Sequence, residues 1–215
     1  LAISVNIAAQ HLLEPNFMVR LQALLAGHPA IPPGRLEIEL LETSALEDVG
    51  RVEQIIVACR ELGVGFSLDD FGTGYSSLSQ LARFPIDAIK LDQSFVRDIH
   101  KQSISQSLVR AIVAVAQALN LQVIAEGVET QAHGKRLLAM GCELAQGYGI
   151  ARPMPASWMQ RQAAAVHERL GFMANNPFLR GCRVEVDRQS FKPAMRPSED
   201  TRSEERRVGK ECLRL

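Results

Sequence analysis

Six polar side chains stand at or just past the ends of six separate apolar runs: Asn6, Glu39, Asp69, Lys90, Glu126 and Gln146. Asp69 is followed at once by Asp70, and Gly72 and Gly74 come next, in the stretch FSLDDFGTGYSSL. Singly, each of these residues has an ordinary reading. A carboxylate after a strand commonly caps a helix or starts a turn, a lysine is usually solvated, and turns use glycine everywhere. Brought together, they ask for more. Glu39, Asp69, Asp70 and Glu126 would crowd acidic oxygens into one place, and burying them without compensation is costly. One lysine cannot neutralise four carboxylates, whereas hard divalent cations can. An all-oxygen donor set that includes an Asn carbonyl suits Mg²⁺ or Mn²⁺ better than Zn²⁺, and these motifs contain no His or Cys. Carboxylates sufficient for two ions about 3.5–4 Å apart point to in-line hydrolysis of a phosphoester. Lys90 would then orient the attacking water or, in its neutral form, take its proton.

Such a site exists only if the fold gathers those six positions. Short apolar runs at Ala2–Val5, Leu36–Leu40, Gly65–Leu68, Ala88–Leu91, Gln122–Ala125 and Glu143–Ala145 read as strands. Helical patterns lie between them. In SLVRAIVAVAQAL, Leu108, Ile112, Val115 and Leu119 recur at spacings of three and four. RVEQIIVACREL has the same character, with Gly63 placed as a helix-ending glycine. Strand and helix in alternation mean parallel β/α units, in either a doubly wound sheet or a closed barrel. The barrel is favoured, because it collects the C-terminal ends of all its strands into one ring, where the active sites of such folds lie. An open sheet would spread the six residues along a line.

The expected fold is therefore α/β, a TIM-like modified (β/α)8 barrel that is incomplete here. About six units are readable against the roughly eight of a full barrel, and the first strands are expected to be missing. The expected barrel spans residues 1–170 and is followed by a poorly ordered tail over 171–215, polar and aperiodic from Cys182 onward. Residues 202–212, RSEERRVGKEC, resemble the translation of a sequencing-library adapter and are expected to be non-native.

Composition narrows the function without naming it. Of 215 residues, 47% are hydrophobic and 22% charged, with Lys+Arg and Asp+Glu equal at 24 each, so charge balance suggests no DNA, RNA or membrane partner. The four cysteines, Cys59, Cys142, Cys182 and Cys212, form no CxxC pair and read as reduced thiols. No apolar run approaches the roughly 18 residues of a membrane span.

Six stretches, SVNIA, LEIELLETSAL, LDDFGTGYSSL, IKLDQSFV, VIAEGVET and AQGYGIARPMP, together resemble the EAL-domain family of cyclic di-GMP phosphodiesterases, and they occur in the family's order. The resemblance implies a modified (β/α)8 barrel and cytoplasmic hydrolysis of cyclic di-GMP to linear pGpG with Mg²⁺ or Mn²⁺ at a two-metal site. It implies Asn6, Glu39 and Asp69 as ligands of one metal, with Asp69 bridging to a second held by Asp70 and Glu126. Lys90 would activate the water, and Gln146, like Glu126, would serve catalysis at that water. Glu42 would steady the loop of Gly72 and Gly74, and Glu129 would brace the turn in EGVE. Homodimerisation through the loop after Asp70 is a further expectation. Sensory or cyclase-like domains upstream, or a membrane tether there, would also suit the parent protein.

Two departures from the family pattern matter. Leu41 stands where the family often has Thr, which reads as a packing variant. The glutamate-alanine-leucine signature, with a further metal-ligand glutamate and a substrate-holding arginine nearby, is expected to lie upstream of Leu1. The fragment by itself is thus expected to have a damaged site. A cyclic di-GMP receptor without catalysis is the alternative, opposed by the presence of Asp69, Asp70, Lys90 and Glu126 together. An enolase-like barrel also combines Mg²⁺ carboxylates with a lysine, but the DDFGTGYSSL stretch favours the phosphodiesterase.

Overall fold

The computed structural model describes residues 2–45, 48–74, 81–150, 152, 183–186 and 212–213. Among the described residues, six parallel strands run in sequential order: β1 Ala2–Asn6, β2 Leu36–Leu41, β3 Gly65–Phe71, β4 Ala88–Leu91, β5 Gln122–Ala125 and β6 Leu144–Gln146. An order that never reverses lacks the switch point of a doubly wound sheet, and the sheet curls as a half-barrel. Two short segments flank it. β7 (Arg183–Val186) lies parallel beside β1, and β8 (Cys212–Leu213) lies antiparallel beside β6. The expected boundary near residue 170, and the tail apart from these two segments, lie outside the described residues.

Among the described residues the connecting helices are α1 Ala9–Leu12, α2 Phe17–Gly27, α3 Glu42–Ala45, α4 Val49–Glu61, α5 Gln93–Arg97, α6 Ser103–Ala118 and α7 Gln131–Leu138. Several start where a side chain satisfies an otherwise unpaired helix amide. Asp48 accepts from the Arg51 N–H (3.2 Å), Asp92 from Ser94 (2.9 Å) and Thr130 from His133 (3.2 Å). Gly63 ends α4 at φ 84°, as its position predicts. Among the described residues, no helix is long and apolar enough to cross a membrane.

Strand side chains alternate between two faces, and here the faces differ in kind. Ile38, Leu40, Phe66, Leu68, Ile89, Leu91, Val123 and Ala125 point outward and pack with Val52, Ile56, Val96, Val109, Val113 and Leu137 of the helices in one large core. Ala88 and Ile124, with Leu144 against them, form a separate small cluster on the inner face. Two residues further along their strands, on that same face, come Lys90, Glu126 and Gln146.

The helix expected from the spacing of Leu108, Ile112, Val115 and Leu119 forms as α6. Val109, Val113 and Ala116 are buried, Ile112, Val115 and Leu119 pack at the core's margin, and Leu108 is exposed. The helix is apolar at so many positions that periodicity alone does not choose the face.

β3 also departs from expectation, because it continues three residues past Leu68 and contains both aspartates. Leu68 pairs with Ile89 and Phe71 with Leu91, and the register shifts between them. Asp69 and Asp70 therefore stand opposite Lys90 alone, two residues against one, the geometry of a β-bulge. Asp70 adopts φ 54°, the left-handed region that Asp tolerates better than most residues. The bulge breaks the alternation that would otherwise send consecutive carboxylates to opposite faces.

Candidate active site

The inner face explains how these side chains meet. Lys90, fully buried, extends from β4 above the small Ala88. Its Nζ lies 2.6 Å from Glu39 Oε2, 2.8 Å from Glu126 Oε1 and 3.2 Å from Asp69 Oδ1. Three strands thus deliver a carboxylate to one ammonium. Gln146, from β6, donates through Nε2 to Glu126 Oε1. Asp70 is half-buried, and its backbone N–H donates to Asp69 Oδ1 (3.0 Å). Asn6 ends β1 in register with Glu39, and the N–H of the next residue, Ile7, donates to the Glu39 carbonyl (2.9 Å).

Several acidic side chains converge here. Asp69, Asp70 and Glu126 each present an oxygen within 4.8 Å of the others. Gln146 Oε1 is buried and accepts no hydrogen bond, a costly state for a carbonyl oxygen unless a water or cation faces it. An oxygen-only donor set, three converging carboxylates and a buried acceptor without a hydrogen bond all fit a hard divalent cation with its hydration waters. Glu39 reaches the same ammonium as Asp69 and Glu126. Glu42 lies elsewhere: from the start of α3 its Oε2 accepts the N–H groups of Gly72 (2.8 Å) and Gly74 (3.3 Å). A Cβ on Gly74 would stand 3.0 Å from that carboxyl group, so glycine permits the approach. Thr73 Oγ1 donates to the Asp70 carbonyl (2.8 Å), which ties the same loop back to the bulge.

Sequence reasoning missed Glu37 and His133. Glu37 lies buried beneath the site, accepting from Ser67 Oγ (2.9 Å) and, more weakly, Ser4 Oγ (3.5 Å). Its signal was the alternation in LEIEL, which puts Glu37 and Glu39 on one face. His133 Nδ1 accepts from the Glu129 N–H (3.4 Å), so the turn after Glu126 is held through backbone and His133 while the Glu129 side chain is exposed. Burial, and then the charge of nearby His100, push the His133 pKa down. Leu41 is 41% exposed at the end of β2, so it is not the packing variant expected. The free thiols of Cys59 and Cys142 are buried and pushed up to about 12, unsuited to ligating or attacking anything.

Comparisons with known proteins agree with this geometry. The EAL domain family model matches residues 1–153. Cyclic di-GMP phosphodiesterase PdeR of Escherichia coli (strain K12) is 52% identical over 163 residues, covering 75% of this chain and 24% of PdeR. The chain thus spans about a quarter of that relative's length. Among solved structures, the PaMucR phosphodiesterase in complex with c-di-GMP superposes with a TM-score of 0.70 at 37% identity, covering 74% of this chain and 64% of that one. The manganese and c-di-GMP complex of Klebsiella pneumoniae BlrP1 gives 0.66 at 34% identity, covering 71% and 39%. BlrP1 also forms a calcium complex with the same nucleotide.

Proposed function

The chain belongs to the EAL-domain family, and from that premise we propose that its parent protein hydrolyses cyclic di-GMP to linear pGpG at a divalent-metal site in the barrel mouth. The observation that carries this reading is the ring of Glu39, Asp69 and Glu126 around Lys90, with Asp70 brought alongside by the bulge. The relatives' cyclic di-GMP names and complexes support the substrate. The oxygen donor set supports Mg²⁺ or Mn²⁺.

Asp69, Asp70 and Glu126 are the residues to hold one cation, and Asn6, Glu39 and Asp69 a second. Bound there, the metal supplies charge stabilisation to the phosphodiester and acidifies a water. The chain's own groups do the rest. Lys90 orients the attacking water and offsets charge gathering on the phosphoryl oxygens. Gln146 fixes Glu126 by donation and offers its free Oε1 to a water. Glu42 keeps the loop after the bulge in place, so that Asp69 and Asp70 stay aimed. Water adds to phosphorus, one P–O3′ bond breaks, and the departing 3′ oxygen ends protonated.

Three expectations accompany this reading. Use of a nucleotide second messenger as substrate would suit a cytoplasmic domain. Dimerisation through the loop after Asp70 is supported by exposed Ile104 and Leu108 on α6, the helix whose Ile112 lies near Gly72. Regulatory domains upstream suit relatives of much greater length.

The test is chromatographic turnover of cyclic di-GMP by the full-length parent with Mg²⁺ or Mn²⁺. Lys90→Ala is expected to retain nucleotide binding and lose hydrolysis. Tight binding by the wild type without turnover in either ion would overturn the catalytic reading in favour of a receptor.

A further inference from the structure

Tyr148 follows the catalytic strand by two residues and is 60% exposed, although the backbone around it is tightly held. Ile150 N–H donates to the Gly147 carbonyl (2.9 Å), closing a turn with Tyr148 at its first corner. Val128 N–H donates to the Gln146 carbonyl and Gly149 N–H to that of Val128, each at 2.9 Å, joining this turn to the one that follows Glu126. The contact leaves no room for side chains at its glycines. A Cβ on Gly147 would stand 2.3 Å from Val128 N, and one on Gly149 would stand 2.4 Å from the Glu129 carbonyl carbon. Tyr148 is the large side chain between them, and it projects outward from a fixed base.

Two residues span at most about 7 Å of chain, so the ring is rooted beside the carboxamide that hydrogen-bonds Glu126. The Arg152 guanidinium lies 5.2 Å from the ring centroid, within cation–π range. An exposed aromatic on a hydrogen-bonded turn, with a cation against it and beside a site for a cyclic dinucleotide, matches two parts of such a ligand. Nucleobases stack on aromatic rings, and guanidinium groups attract phosphates.

We infer that Tyr148 is a stacking platform for one guanine of the substrate, with Arg152 holding the ring and adding positive charge. This rests on the phosphodiesterase reading above.

The test measures kcat and KM for cyclic di-GMP with the full-length protein carrying Tyr148→Ala, Tyr148→Leu, Tyr148→Phe or Arg152→Ala. Loss of one base stack is expected to raise KM roughly 5- to 150-fold in the Ala and Leu variants, with kcat changed much less. Tyr148→Phe, which keeps the ring, restores KM to within about threefold, and Arg152→Ala raises it roughly 2- to 5-fold. Melting temperatures verify folding, and because the ring is exposed all four variants are expected to melt with the wild type. Wild-type turnover with an unchanged KM in Tyr148→Ala and Tyr148→Leu overturns the platform and leaves the phosphodiesterase reading standing. Absence of both binding and turnover in the wild type overturns that reading and the platform with it.

Discussion

Lys90 makes a sharp prediction because it holds three carboxylates together before any cation arrives. Its Nζ lies 2.6, 2.8 and 3.2 Å from Glu39, Glu126 and Asp69, and its side chain is wholly buried. Water therefore screens none of these contacts at the ammonium. Lys90→Met keeps most of the volume and removes the charge, leaving three buried carboxylates facing one another. Breaking a buried pair by deleting one partner costs about 3–5 kcal/mol, a large share of the roughly 5–15 kcal/mol that stabilises a typical domain. At roughly 2–4 °C per kcal/mol for a chain of this size, the variant should melt about 6–20 °C below the wild type in EDTA.

Divalent ions should then reverse much of the loss. In the variant they meet carboxylates that have lost the Lys90 ammonium, so Mg²⁺ or Mn²⁺ should raise its melting temperature by more than it raises the wild type's. An ion at a hundred times its Kd adds about 2.7 kcal/mol, enough to see by scanning fluorimetry. A variant that melts within about 2 °C of the wild type in EDTA would refute the compensation argument. Equal stabilisation of both proteins by the ion would refute the claim that Lys90 and the cation serve the same carboxylates.

Asp69→Asn should weaken Mn²⁺ binding at least tenfold in a calorimetric titration, because an amide offers a poorer donor at the shared position; an unchanged isotherm would remove Asp69 from the ligand set. Glu42→Ala deletes the acceptor of two loop amides and should cost about 1.5–3 kcal/mol, with faster hydrogen exchange at Gly72 and Gly74 as the local signature. Gly149→Ala drives a Cβ into backbone and should lower the melting temperature by at least 5 °C; normal stability would mean that the two turns separate readily. His133 has a folded pKa below its unfolded value of about 6.5, so the unfolded chain binds more protons there. Its contribution should be intact above that value and lost as pH falls from there through the lower folded pKa, and His133→Gln should flatten the decline in denaturation midpoints measured between about pH 7 and 5.

The parts of this site that could be read before the fold were those governed by alternation. The expected strand ends fall within a residue of those observed for β1, β2, β4, β5 and β6, because each strand is a short apolar run closed by a polar residue. A polar residue at such an end lies one step beyond an outward apolar one, as Lys90 does between Ile89 and Leu91, and so points inward. The same logic would have found Glu37, two residues before Glu39. Periodicity placed the helix α6 without choosing its face, because apolar residues are so many there that tertiary packing selects Val109, Val113 and Ala116.

The bulge is the instructive miss. In a regular strand Asp69 and Asp70 would face opposite ways, one into the mouth and one into the helical core, where an unpaired carboxylate is prohibitively costly. An adjacent pair of aspartates at the end of an otherwise buried strand is therefore compatible with that strand only if the backbone adds a residue there. The left-handed φ at Asp70 and the register slip against Lys90 are that added residue. Seen this way, the doubled carboxylate is itself a sequence signal for the bulge, and the bulge is what turns two neighbours in sequence into two donors at one site. Asp70→Ala tests the order of cause. If the bulge belongs to the fold, the variant keeps the β3–β4 register and loses only a ligand, so its Mn²⁺ affinity falls while the Phe71–Leu91 pairing persists in its crystal structure. A strand that straightens on losing the carboxylate would show instead that repulsion between Asp69 and Asp70 makes the bulge.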